Sequence, residues 1–256
     1  MTAPLSNKKW TLKSRPETTA SEEHFNFETE PVSDLADGEF LVKNHYLSFE
    51  PAQRGWLNDV RSYVPPVAIG EVMRSMAVGE VIASKHSDYN VGERVQGGFG
   101  WQEYAISDGT GLFPVAKIPD GIPMSYPLHI YGLTGLTAYF GLLDIGAPKA
   151  GDTVVISGAA GATGSTVGQI AKLMGCHVVG IAGGQAKCRW LVDELGYDAV
   201  IDYKSESVDE RMSQLCKNSI NVFFDNVGGE ILDSALVNLS NHARVVLCGG
   251  ISSGYQ

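Results

Sequence analysis

TVVISGAAGATGSTVGQIAKLMG, running from Thr153 to Gly175, changes its hydrophobic period partway along. The β-prone run Thr153 to Ser157 enters a glycine-rich turn, after which Val167, Ile170, Ala171 and Met174 recur on one helical face. The reading is strand, tight loop, helix. Gly158, Gly161 and Gly164 leave the backbone bare, so that a pyrophosphate can approach the N–H groups and positive dipole end of the helix. A dinucleotide site is one reading. A turn that merely packs a helix on a sheet is the other, because Ala160 stands where the middle glycine of G-x-G-x-x-G belongs.

Downstream, strand-like runs at Thr153 to Ser157, His177 to Ala182, Ala199 to Ile201, Asn221 to Asp225 and Arg244 to Cys248 alternate with helical stretches. That alternation predicts an α/β fold: a parallel, doubly wound sheet with helices on both faces. The full dinucleotide-binding order, 3-2-1-4-5-6, needs one strand more, so an incomplete chain is expected. Upstream, FLVKNHY (Phe40 to Tyr46), VGEVIAS (Val78 to Ser84) and ERVQGGFGWQEYAI (Glu93 to Ile106) are short β-prone runs between turn signals. They predict an antiparallel or barrel-like domain. Between the two patterns, Leu128 to Gly146 carries Ile130, Leu133, Leu136, Ala138, Phe140 and Leu142 with few charges, which predicts a buried helical connector interrupted by glycines. The composition shift at Ile122-Pro123-Met124 divides the chain into domains at 1–126 and 127–256.

Ligands of open α/β sheets lie beyond the carboxyl ends of the strands. After the second strand, where an acid normally meets the ribose of NAD, the chain reads Ile181-Ala182-Gly183-Gly184-Gln185-Ala186-Lys187, without a carboxylate. Gly183 with Lys187 and Arg189 suits a 2′-phosphate and favours NADP(H); alternatively the two cations are solvated residues opening a helix. After the third strand, Tyr203 is a candidate for packing on the adenosine ribose, or half-buried filler. After the fourth, Asn226 offers a donor and an acceptor toward the nicotinamide, or an Asx turn. After the fifth, Cys248-Gly249-Gly250-Ile251-Ser252-Ser253-Gly254-Tyr255 forms a glycine-permitted loop that ends on a phenol.

The chain has 256 residues, 44% of them hydrophobic, and a net charge of −10 with both signs scattered. It can bury a large core, and a nucleic-acid partner is not expected. No apolar run is long enough for a membrane span, and the N-terminus lacks the apolar core of a secretory signal, so a cytoplasmic protein is expected. Cys176, Cys188, Cys216 and Cys248 form no C-x-x-C pair and read as reduced, mostly buried thiols.

The run GLTGLTAYFGLL (Gly132 to Leu143), followed by AAGATGSTVGQIAKLMGCHVVGIAG, FDNVGG and CGGIS, resembles the medium-chain dehydrogenase/reductase superfamily. Within it the match is to the leukotriene B4 12-hydroxydehydrogenase branch, which includes prostaglandin reductases, 2-alkenal reductases and curcumin reductases. The resemblance implies a GroES-like β-barrel-type catalytic domain before a Rossmann domain. It also implies NADPH-dependent reduction of a carbon–carbon double bond conjugated to a carbonyl, by a homodimer acting on a small-molecule enone or alkenal. By the same resemblance, Ala162, Thr163, Gly164 and Ser165 match the pyrophosphate turn and Lys187 and Tyr203 the 2′-phosphate site. Asn226 matches the nicotinamide contact, and Cys248, Gly249, Ile251 and Ser252 the wall of the nicotinamide and substrate. Tyr255 matches the tyrosine that binds the substrate carbonyl, in a loop that Gly254 makes one residue longer than in many relatives.

Two departures qualify the match. Zinc enzymes of the superfamily need a cysteine in the first domain, and none precedes Cys176, so no metal is expected. Where relatives carry an Asp-Pro-Tyr-x-Arg-like motif this chain has Glu50-Pro51-Ala52-Gln53-Arg54, which removes an aromatic from the pocket. Tyr63 and Trp101 are expected pocket walls by analogy. Quinone reduction and cofactor binding without turnover are the alternative readings.

Overall fold

The computed structural model describes residues 5–253, and its chain divides between Leu128 and His129 into two units with separate cores. In the first unit β1 (Ser6–Leu12) pairs antiparallel with β2 (Phe25–Pro31), setting the Trp10 and Phe27 rings 4.9 Å apart. Neither strand was expected, because lysines and glutamates dilute their apolar alternation. Cross-strand pairs replace it: Lys9 meets Glu30 at 2.6 Å and the Thr11 hydroxyl donates to Glu28 at 3.0 Å.

β3 (Phe40–Leu47), β4 (Ala77–Ser84), β5 (Arg94–Gly97), β6 (Tyr104–Ser107) and the short β7 (Ala116–Lys117) form an antiparallel sheet in the order β6-β3-β4-β5-β7. Helix α1 (Ala52–Trp56) leaves the end of β3. Phe40, Val42, Val81 and Val95 fill one core, and Leu12, Trp56, Val67 and Met73 a second.

In the second unit α2 (Leu133–Phe140) continues as a π-turn over Gly141–Gly146 before β8 (Thr153–Ser157), α3 (Ala162–Leu173), β9 (His177–Ala182) and α4 (Gln185–Asp193). Then come β10 (Ala199–Asp202), α5 (Val208–Cys216), β11 (Ile220–Asp225), α6 (Gly229–Leu236) and β12 (Leu239–Leu247). The strands are all parallel, in the order β10-β9-β8-β11-β12. The direction of winding reverses between β8 and β11, which is where such sheets bind ligands. Successive residues along β8 show why: Val154 and Ile156 pack under α2, α3 and α4, while Val155 faces Met212 of α5 and Ala235 of α6. β12 starts earlier than its apolar run suggests, since pairing jumps from Ile220–Leu239 to Val222–Arg244 and His242 turns at φ 62°.

The connector corrects one expectation. Ala138 and Leu142 are buried, but Leu133, Leu136 and Phe140 are each more than half exposed among the described residues. The glycines there are points of close approach rather than interruptions: a Cβ on Gly135 would collide with the Ile130 carbonyl, and one on Gly141 would sit 2.9 Å from the Phe224 ring. Among the described residues no helix is long and apolar enough to cross a membrane.

Candidate functional site

The loop after β8 is held open by its glycines. Gly158 has φ +59°, Gly161 caps α3 without a side chain, and a Cβ on Gly164 would lie 2.8 Å from the Ala159 Cα. Among the described residues the N–H groups of Ala162, Thr163 and Gly164 have no acceptor, which leaves three donors and the helix dipole pointing out of the turn. The Ser165 hydroxyl is turned inward and donates to the Ala162 carbonyl at 3.2 Å.

Tyr197, which the sequence reading passed over, holds this turn from behind. Its hydroxyl donates to the Gly164 carbonyl at 2.9 Å, and its ring fills the side-chain space of Gly168 on α3 and Gly180 on β9. Burial pushes the phenol far above the usual tyrosine range, so it stays a donor. The signal in the sequence was the Gly164-x-x-x-Gly168 spacing, which asks for a bulky partner from elsewhere.

Beyond β9, the Tyr203 ring comes within 2.6 Å of where a Gly183 Cβ would stand, so Gly183 makes room for the phenol. Lys187 and Arg189 are exposed and make no ion pair among the described residues. A carboxylate does reach this loop, from the end of β10: Asp202 accepts the Gly184 N–H at 2.8 Å and the Lys204 N–H at 3.1 Å. Those amides, Gly184 first, hold its carboxyl below the usual range. It escaped the sequence reading because it arrives from the neighbouring strand.

The ends of β8, β11 and β12 are tied together. Buried Asp225 accepts the Ser157 hydroxyl at 2.7 Å and the N–H groups of Val227 and Gly228 at 3.0 Å. Asn226 donates its backbone N–H to the Ser157 hydroxyl and its side-chain N–H to the Ser157 carbonyl. One of the two side-chain N–H groups is thereby used, which leaves the other N–H and Oδ1 as the groups Asn226 can offer a ligand. Cys248 and Gly249 donate their N–H groups to the Asp225 carbonyl, and the Ser252 hydroxyl donates to the Val227 carbonyl at 2.6 Å. Ile251 stands more than half exposed on this loop. Gly254 and Tyr255 lie outside the described residues.

The first unit contains a cavity of about 850 Å³ with walls from Trp10, Phe25, Phe49, Met73 and Trp101. Trp101 packs at 5.4 Å from both Phe25 and Phe49, and its buried indole N–H has no acceptor among the described residues. Tyr63 does not line this cavity: it is 76% exposed and accepts the Trp56 indole N–H at 3.1 Å.

Zinc does not fit the residues present. No group of three His, Cys, Asp or Glu side chains comes together among the described residues, and all four cysteines lie in the second unit. Burial raises every one of these thiols, Cys216 to about 11. Only Cys248 is partly exposed.

Residues 8–115 match a family model described as the N-terminal domain of oxidoreductase, and residues 162–256 one described as zinc-binding dehydrogenase. The chain is 42% identical to the NADPH-dependent curcumin reductase of Escherichia coli (strain K12), over 96% of this chain and 71% of that protein. It is 39% identical to prostaglandin reductase 1 of Bos taurus, over 96% and 73%. A solved structure, CurA in complex with NADPH from Vibrio vulnificus, superposes with a TM-score of 0.89 at 46% identity, over 97% of this chain and 73% of that one.

Proposed function

The chain belongs to the medium-chain dehydrogenase/reductase superfamily, in the branch of the curcumin and prostaglandin reductases, and from that premise we propose that it reduces α,β-unsaturated ketones and aldehydes at the carbon–carbon double bond, using NADP(H). One observation carries the reading. Lys187, exposed in the first turn of α4 and without an ion pair among the described residues, follows the loop after β9, while Asp202, an acid that reaches that loop, is engaged by two backbone amides. A 2′-phosphate there is attracted by the lysine, while the Asp202 carboxylate is turned to the Gly184 and Lys204 amides.

Bound NADPH supplies a hydride to the β-carbon of the substrate. The chain's part is to hold and to stabilise. Ala162, Thr163 and Gly164 give their N–H groups to the pyrophosphate, and Ser165 turns its hydroxyl outward to join them. Lys187 and Tyr203 enclose the 2′-phosphate, and Asn226 Oδ1 accepts from the carboxamide. Cys248, Gly249, Ile251 and Ser252 form the wall beside it. As the double bond is reduced, negative charge gathers on the carbonyl oxygen, and the Tyr255 hydroxyl donates a hydrogen bond to it. Protonation of the α-carbon from solvent completes the saturated product. In this reading residues 1–126 are the catalytic domain and 127–256 the cofactor domain of a cytoplasmic homodimer.

The test is the loss of NADPH absorbance with 2-alkenals, aryl enones and quinones, beside an NADH control and with product analysis. NADPH-specific conversion of enones to saturated carbonyls is expected. Tight NADPH binding without enone turnover would leave a binding protein, and preference for quinones would move the assignment to quinone reduction.

A further inference from the structure

The proposed 2′-phosphate site is carried by two separate turns. Lys187 follows Gly183 and Gly184 in the turn that opens α4, and Tyr203 stands in the turn that leaves β10. The gap between these side chains is therefore only as well defined as the fit of one turn to the other. The Tyr203 N–H donates to the Ala182 carbonyl at 3.2 Å, and Oδ1 of Asp202 accepts from both turns at once, the Gly184 N–H at 2.8 Å and the Lys204 N–H at 3.1 Å. Asp202 is itself held, since its own N–H donates to Glu206 Oε2 at 2.8 Å. The start of α4 shows what this contact replaces. Its N-cap is Gly184, at φ +98° and without a side chain to cap the helix, and its third residue is Lys187. In a capping box an acid or amide at that third position reaches back to the N-cap N–H, which a lysine cannot do because it has no acceptor. Asp202 accepts that N–H from the neighbouring strand instead.

We infer that Asp202 is a positioning residue for the 2′-phosphate: one oxygen locks the turn of Lys187 to the turn of Tyr203, and by supplying the missing acceptor it leaves the third position of α4 open to a cation. The inference rests on the NADP(H) reading. It also fixes the sign of a test, because the charge and the acceptor of Asp202 act in opposite directions. As a charge, Asp202 opposes a phosphate, so its removal alone would tighten binding. As an acceptor, it aligns the groups that hold the phosphate, so its removal loosens binding.

The experiment titrates the full chain with 2′,5′-ADP and with 5′-AMP by calorimetry, which reads the 2′-phosphate apart from the rest of the nucleotide and apart from turnover. In the wild type 2′,5′-ADP is expected to bind at least about tenfold more tightly than 5′-AMP. Asp202→Ala should weaken 2′,5′-ADP about tenfold and leave 5′-AMP unchanged, with faster amide exchange at Gly184 and Lys204. Asp202→Asn, which keeps the acceptor and drops the charge, should restore 2′,5′-ADP to within about threefold of the wild type and slow that exchange again. Asp202→Ala binding 2′,5′-ADP as tightly as the wild type or more so, equal losses for both nucleotides, or Asp202→Asn as weak as Asp202→Ala would each overturn the inference. A wild type that does not prefer 2′,5′-ADP would sink the NADP(H) reading and this inference with it, whereas a selective wild type beside an equally selective Asp202→Ala removes the role of Asp202 alone.

Discussion

At the scale of single residues, the candidate cofactor site divides into side chains legible along the chain and side chains that arrive from elsewhere. Lys187 stands out in the sequence because no carboxylate directly follows the second strand; in the structure it lies in the first turn of α4, a position that also suits a solvated residue opening a helix. It is exposed and has no ion pair among the described residues, so its removal disturbs little else. Lys187→Ala should weaken NADPH about ten- to a hundredfold, the worth of a charge-assisted hydrogen bond, and leave NADH nearly unchanged, as titration of nucleotide fluorescence would reveal. Tyr255, beyond the described residues, carries a different expectation: Tyr255→Phe slows enone reduction by about a hundredfold while NADPH binds as before, in single-turnover and binding assays. Asp202 and Tyr197 were not legible, because each reaches its site across a strand boundary. Tyr197 in turn explains Gly168, whose missing side chain is the space its ring occupies. Gly168→Ala overpacks that contact and should cost about 1–3 kcal/mol, seen as a lower midpoint in denaturant at unchanged slope.

At the scale of elements, the parallel strands were readable and the outer antiparallel pair was not, for one physical reason. β8, β9 and β11 are covered on both faces, so they read as unbroken apolar runs such as Val154-Val155-Ile156. β1 and β2 hold their register with cross-strand ion pairs and hydrogen bonds, which a search for apolar alternation misses. The connector was misread in the opposite direction. Its apolar content predicted burial, yet among the described residues the buried side chains there are Ala138 of α2 and Leu142 of the following π-turn, and its glycines serve contact with Ile130 and Phe224. The tie between the ends of β8 and β11 was invisible for want of local signal, since Ser157 and Asp225 lie 68 positions apart. Ser157→Ala tests it. The variant strips a hydroxyl donor from a buried carboxylate and should cost about 1–3 kcal/mol. It should also loosen the Asn226 segment, so amide exchange at residues 225–228 should accelerate before the core strands do.

At the scale of the whole molecule, the presence of separate cores matters more than any one contact. Phe40, Val81 and Val95 pack among the strands of the first unit, while Val155, Ile181 and Phe223 pack between the sheet and helices of the second. Each core is local to its unit, so the units need not melt as one. Every residue assigned to NADP(H) belongs to the second unit, from Gly158 through Ser252. A ligand that binds one native unit stabilises that unit by mass action, about 2.7 kcal/mol when present at a hundred times its dissociation constant. Scanning calorimetry should therefore resolve two transitions, and NADPH should raise the midpoint of one by several degrees while leaving the other in place. Tryptophan fluorescence assigns them, because Trp10, Trp56 and Trp101 report on the first unit and Trp190 on the second. If a single cooperative transition moved bodily with NADPH, the units would be coupled as tightly as one domain. If the NADPH-sensitive transition were the one that Trp10, Trp56 and Trp101 follow, the cofactor would be held by the first unit, and the assignment of Ala162 to Gly164, Lys187 and Tyr203 would fall.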